Sequence, residues 1–220
     1  MKQISINLYQ FAELSEEAKH TALDSMRDTN IDYEWWDFVY DDFSTLCKYI
    51  GIETDTHKMF FRGFYLQGDG SSFAASVDLM KLVNGIRNQS WKEYAPDLQI
   101  DLEPCPLQNR MLSLIERGFI DSYIRIKNAN RETSVSLEAD FNYSYNKCDE
   151  YINIDIELDR LETWLDDTAH TLNHHFYKQL QHEYEYLTSD EAVRETIEVN
   201  EYEFTHDGQP ADCLLKLQNQ

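Results

Sequence analysis

Apolar residues fall into two periods along this chain. Ile4, Ile6 and Leu8 alternate with polar neighbours across Gln3–Tyr9, the pattern of a half-buried strand. Ser15 then precedes Glu16 and Glu17, so its hydroxyl can accept a first-turn N–H while both carboxylates lie against the positive end of a helix dipole. That helix is expected to reach about Asp28 and to bury Ala18, Ala22 or Leu23, and Met26. A second helix is expected from about Tyr33 to Ile50. Its stripe is Trp36, Val39, Phe43, Leu46 and Ile50, its opposite face is Glu34, Asp37, Asp41 and Asp42, and Gly51 stops it.

Lys58–Leu66 and Ser72–Val77 read as a hairpin around Gln67-Gly68-Asp69-Gly70-Ser71, with Gly63 suggesting a bulge or a close backbone approach. Residues 78–87 are weakly helical, Asp97–Pro106 is a loop, and Leu107–Arg117 is a further helix. Ser122–Lys127 puts Tyr123, Arg125 and Lys127 on one face and Ile124 and Ile126 on the other. Ser134–Phe141 turns Val135, Leu137, Ala139 and Phe141 inward, and the turn-rich Asn128–Arg131 joins the two as an antiparallel hairpin. The strongest helical stripe runs from about Ile156 to Leu187 through Leu158, Leu161, Leu165, Thr168 with Ala169, Leu172, Phe176, Gln179 with Leu180, Glu183 with Tyr184, and Leu187. Ser189 caps another helix, and Glu201–Phe204 is a last strand.

The order of elements predicts an α+β fold: an antiparallel sheet, made of two hairpins plus the N-terminal strand, covered by helices, with a long C-terminal amphipathic helix. One domain over residues 1–208 and a loose tail over 209–220 are expected.

Charge changes this picture. The chain carries 41 acidic against 19 basic side chains, net −22, yet 13% of its 220 residues are aromatic, enough for a core rather than a disordered acidic tail. Residues 1–55 hold 12 acids and 4 bases, 56–148 hold 11 of each, and 149–207 hold 17 acids and 3 bases. The sum argues against direct nucleic-acid or anionic-membrane binding, since those surfaces carry the same sign. Neither an apolar span nor an apolar leader stretch is visible, so a cytoplasmic location is expected. Cys47, Cys105, Cys148 and Cys213 show no metal or redox spacing and read as reduced thiols.

Four features invite a functional reading. The turn Gln67, Gly68, Asp69, Gly70, flanked by Phe64, Tyr65 and Phe73, either exposes backbone N–H groups beside stacking rings as a ligand or contact site, or is a hairpin turn in which both glycines take positive φ and Asp69 bonds its own backbone. Asp166, His170 and His174 share a helix face and are weak metal candidates, although the two histidines lie opposite the core stripe. Trp36 is expected in the core, with Trp35 either a second core ring or a lid or anchor at the border of the stripe. The carboxylates Glu34, Asp37, Asp41 and Asp42, with Asp159, Glu162, Asp166 and Asp167, form two acidic helix faces. No catalytic constellation stands out, and no cofactor motif is present.

Three stretches carry a resemblance: Phe11-x-Glu13-Leu14-Ser15-Glu16-Glu17-Ala18-Lys19 continuing to Trp35-Trp36; Phe61-x-Gly63-Phe64-x-x-Gln67-Gly68-Asp69-Gly70-x-x-Phe73; and Glu183–Val193 continuing through Glu195, Ile197 and Asn200 to Phe204, Asp207 and Gly208. Together the chain resembles an uncharacterised family carried by bacteriophages, prophages and plasmids, whose members often bear the label "antitoxin of a toxin–antitoxin stability system". Tyr65-Leu66 departs from the aromatic and small polar pair that often follows Gly-Phe in that family. The resemblance implies a mobile-element origin and a role against a host factor. The expected function is a non-enzymatic acidic binder that neutralises a host defence factor or toxin with a basic surface, resembling nucleic-acid charge. The alternative is a small-ligand protein that binds or sequesters a nucleotide at Gln67–Phe73.

Overall fold

Side-chain caps fix where three of the helices begin. Ser15 accepts the Ala18 N–H at 3.3 Å and Ser189 accepts the Ala192 N–H at 3.2 Å. Asp78 does the same for Lys81 at 3.1 Å. The structure, a computed structural model, describes residues 6–143 and 153–211. In chain order its elements are β1 (Tyr9–Gln10), α1 (Glu16–Ser25), α2 (Asp37–Tyr49), β2 (Ile52–Arg62), β3 (Gly70–Val77), α3 (Leu79–Asn88), α4 (Asn109–Glu116), β4 (Ile120–Ala129), β5 (Ser134–Tyr143), α5 (Ile154–Leu187), α6 (Asp190–Val199) and β6 (Glu203–Phe204). The α+β class with antiparallel sheets and a long C-terminal helix is therefore the observed one.

The chain divides into two compact units, a division that the expectation of one domain over 1–208 does not anticipate. The first is Phe38–Leu180. The second joins the residues up to Asp37 to those from Gln181 onward.

In the first unit, β2, β3, β4 and β5 form an antiparallel sheet in that order. Strand pairing places Thr54, Ala75, Ile126 and Leu137 in one cross-strand row and Glu53, Ser76, Arg125 and Glu138 in the next. Successive rows face opposite ways, so one sheet face is largely apolar and the other charged. The core stacks Phe43 on Phe176 at 4.6 Å between ring centres and sets Phe73 edge-on to Phe43 at 5.1 Å. All three rings are fully buried. The α5 stripe is buried through Leu158, Leu161, Leu165, Ala169, Leu172, Phe176 and Leu180, while Glu183, Tyr184 and Leu187, expected to continue it, are only half-buried. Asn173, on the flank of that stripe, donates to the Ser71 carbonyl at 2.9 Å and receives the Ser71 hydroxyl at 3.1 Å, which ties α5 to β3.

The second unit is built from both ends of the described chain. Phe11, Leu14, Ala18, Ala22, Leu23, Val193, Ile197 and Phe204 make its core, and β1 pairs with β6. Arg27 bonds Asp24, Asp190 and the Thr188 carbonyl, and Asn30 bridges the Leu187 carbonyl and the Thr196 hydroxyl.

Several expectations change. The N-terminal strand is short: Ile6 and Leu8 are 53% and 40% exposed and only Tyr9–Gln10 is paired, because alternation needs a partner strand to become a ladder. Ile4 lies outside the described residues. It is β1–β6, not the main sheet, that takes the N-terminal strand. Helix α2 begins at Asp37 rather than Tyr33. In the preceding turn the Trp35 N–H bonds the Tyr33 carbonyl at 2.8 Å; Trp35 is buried, as a second core ring would be, whereas Trp36, expected in the core, is half-buried. The irregularity in β2 lies between Asp55 and Phe60 rather than at Gly63. Gly63 follows the strand, in the turn, with φ +53°. The expected tail falls mostly beyond residue 211, outside the described residues.

Candidate functional site

The glycine turn organises itself around one carboxylate. Asp69 Oδ2 accepts the Tyr65 N–H at 2.9 Å and the Leu66 N–H at 2.7 Å, while the Asp69 N–H donates to the Leu66 carbonyl. A Cβ on Gly63 would stand 2.6 Å from that carboxylate, so the close approach expected at Gly63 is to Asp69. Gly68 takes positive φ as expected. Gly70 does not: it lies where a Cβ would sit 2.3 Å from the Thr133 carbonyl oxygen, so its role is a seat for the β4–β5 turn. Phe73, expected at the contact site, belongs to the core. Phe64 stacks on Phe61 and packs against Tyr65 and Tyr177, and the Tyr177 hydroxyl donates to the Gly63 carbonyl at 3.2 Å. What the turn presents outward is Tyr65, 67% exposed, Leu66, 78% exposed, and Gln67. Burial and the negative Asp69 push the Tyr177 phenol upward, so it stays a hydrogen-bond donor at neutral pH.

Glu34 and Asp37 belong to the second unit, Asp41 and Asp42 to the first, and all four are exposed. Asp42 accepts a hydrogen bond from the Tyr94 hydroxyl. On α5, Asp159, Glu162 and Asp166 follow i, i+3, i+7 spacing and line one groove of about 430 Å3 together with Thr163 and with Leu137 of β5. The Thr163 hydroxyl donates to the Asp159 carbonyl at 2.9 Å. Among the described residues no ion pair involves Asp159, Glu162 or Asp167, whereas Asp166 Oδ2 lies 3.7 Å from His170 Nε2. Asp167 is exposed but does not line the groove.

The weak metal set does not converge. His170 and His174 are exposed, and among the described residues no three His, Cys, Asp or Glu side chains gather as metal ligands. His175, next along α5, is half-buried, and burial lowers its pKa. Cys47 and Cys105 are free thiols. Burial pushes both upward, so neither is poised as a nucleophile. Cys148 and Cys213 lie outside the described residues.

Two further grooves escaped the sequence reading. One, of about 530 Å3, opens on the charged sheet face where β2 leaves β3 between Asp55 and Phe60. Lys58, Arg125 and Lys127 line it, with Lys58 held by Asp55 at 3.0 Å and Lys127 by Glu138 at 2.6 Å. The alternation of Tyr123, Arg125 and Lys127 was the available signal. The other, about 330 Å3, sets Lys19, His20 and Arg194 among Glu16, Asp190 and Glu198 in the second unit. Its residues come from opposite ends of the sequence, and no local pattern announces it.

A family model described as a domain of unknown function, DUF8835, matches residues 35–190. The chain belongs to this family. The DUF8835 match takes in the whole first unit and the adjoining edges of the second, Trp35–Asp37 and Gln181–Asp190. No curated protein and no solved structure matches the chain. Among the described residues no helix is long and apolar enough to cross a membrane.

Proposed function

We propose that this DUF8835 protein is a non-enzymatic acidic binder of mobile-element origin, acting in the bacterial cytoplasm on a basic protein, either a host defence factor or a toxin. One observation carries the reading. On α5, Asp159 and Glu162 are exposed without a cation from the described chain, in a segment of 17 acids and 3 bases. Carboxylates left unpaired in this way are available to a partner's Lys and Arg, as phosphates of a nucleic acid would be. Such a surface excludes direct binding to DNA, RNA or anionic lipid. Affinity would come from apolar anchors, and Tyr65 with Leu66, held out on a turn that Asp69 fixes, has the residue types of such an anchor. The nucleotide reading of the same turn has less support, because the Asp69 carboxylate is already engaged and Phe73 is unavailable.

Affinity purification from host cells at ~50 and ~200 mM salt tests the reading. A basic protein retained at the lower and lost at the higher concentration is the expected result. Capture of no basic protein, or retention that ignores salt, would sink it.

A further inference from the structure

The two edges of the four-stranded sheet differ. Edge β2 is broken by the irregularity between Asp55 and Phe60 and carries Lys58 there, features that discourage pairing with another strand. Edge β5 is regular: its ten residues pair one-to-one with β4, Ile120↔Tyr143 through Ala129↔Ser134. Apart from that ladder, no backbone–backbone hydrogen bond involves residues 134–142 among the described residues. Alternate N–H and C=O groups of an edge strand point away from the sheet and can be satisfied by an added strand. The groove between β5 and α5 lies against this edge, with Leu137 from the strand and Asp159, Glu162 and Asp166 from the helix.

We infer that β5 is the docking edge for an extended segment of a basic protein, which adds as a fifth strand and places two basic side chains, one residue apart, over the α5 carboxylates. This rests on the acidic-binder reading and specifies its mode. The dimensions agree. Asp159 to Asp166 spans ~10 Å of helix at 1.5 Å per residue, and same-face residues of a strand repeat every ~7 Å. Two successive same-face positions of the incoming strand therefore cover the three carboxylates, and Leu137 offers an apolar contact beside them. The charge of the groove selects a basic occupant over a neutral one, and the exposed backbone selects an extended segment over a helix.

A blocked ten-residue peptide alternating lysine and threonine is the probe, read by fluorescence anisotropy and by hydrogen exchange on the intact protein. Two control peptides carry N-methyl groups on every lysine or on every threonine, so each removes one alternate set of N–H donors and keeps the charge. The expected outcome has three parts: the parent binds and protects residues 134–143 from exchange; one N-methylated form loses at least ~tenfold in affinity; and the D159N/E162Q/D166N protein loses at least ~tenfold with its melting temperature unchanged. Absence of binding, equal binding by both N-methylated forms, or protection elsewhere would overturn strand addition. If binding instead follows neutralisation of Glu34, Asp37, Asp41 and Asp42, the edge is wrong while the acidic-binder reading stands. Only the host purification decides that reading itself.

Discussion

At the scale of single residues, the sequence shows chemistry more readily than it shows neighbours. Asp69 bonding its own turn was readable from Gln67-Gly68-Asp69-Gly70, because short acidic side chains next to glycine habitually do so. Gly70 was not, since its reason is the Thr133 carbonyl, 63 positions later in the chain. The two glycines therefore separate in a mutational test. Gly70→Ala pushes a Cβ into a backbone atom at 2.3 Å, so β3 or the β4–β5 turn must move, at a cost of about 2–3 kcal/mol. Gly68→Ala meets no atom within 4 Å and costs only the conformational penalty of positive φ, about 1 kcal/mol. Urea unfolding of both variants should show that order, and a reversed order would mean the turn, not its seat, limits stability. Asn173 makes the same point in the core. Its amide donates to the Ser71 carbonyl in a buried site, and the Ser71 hydroxyl is shared between the Asn173 side-chain and backbone carbonyls. Asn173→Ala therefore removes the side-chain donor to the Ser71 carbonyl while the hydroxyl keeps its backbone acceptor. A loss of about 1–3 kcal/mol is expected by the same measurement.

At the scale of elements, periodicity succeeded wherever a long stripe met a core. Helix α5 follows its heptad-like pattern along most of its length, and Ser15 and Ser189 cap as their positions require. Prediction was weakest where polar residues do structural work. β2 begins at Ile52, six residues before its apolar run, and Thr54 faces inward because the Ser44 hydroxyl meets its own at 2.6 Å. Such a pair is invisible to a hydrophobic pattern. The site was legible in the same uneven way: acids on α5 were found from the wheel, while the groove they share with Leu137 needed the packing of helix on strand. His175 brings a pH dependence to this helix. Burial depresses its folded-state pKa, so below its ordinary value of about 6.5 the unfolded chain takes up a proton that the folded chain resists. Its contribution is complete above that pH and declines as pH falls towards the depressed value. Melting curves between pH ~7.5 and ~5.5 should therefore flatten in His175→Gln relative to the parent. An unchanged slope would show that other groups govern the window.

At the scale of the molecule, the net charge of −22 and the two compact units describe different divisions. The neutral stretch 56–148 lies wholly in the first unit and includes most of its sheet, whereas the acidic stretches run through both units. Charge along the sequence therefore did not reveal that the chain ends meet in a core of their own. That core was hidden because its members, Phe11 to Leu23 and Val193 to Phe204, belong to segments with ordinary local patterns and distant positions. Phe204 tests whether it is a core in the energetic sense. The residue is fully buried, packs edge-on to Phe11 at 6.4 Å, and sits on the strand that pairs with β1. Phe204→Ala should cost about 3–5 kcal/mol, the range for removing a buried ring. Hydrogen exchange shows where that cost falls, because a local core loses its protection without opening the rest. Amides of α1 and α6 should exchange faster in the variant while those of β3 and β4 keep their parent rates. Uniform acceleration across both sets would mean that the two units unfold as one, and that the apparent core at the chain ends has no independent stability.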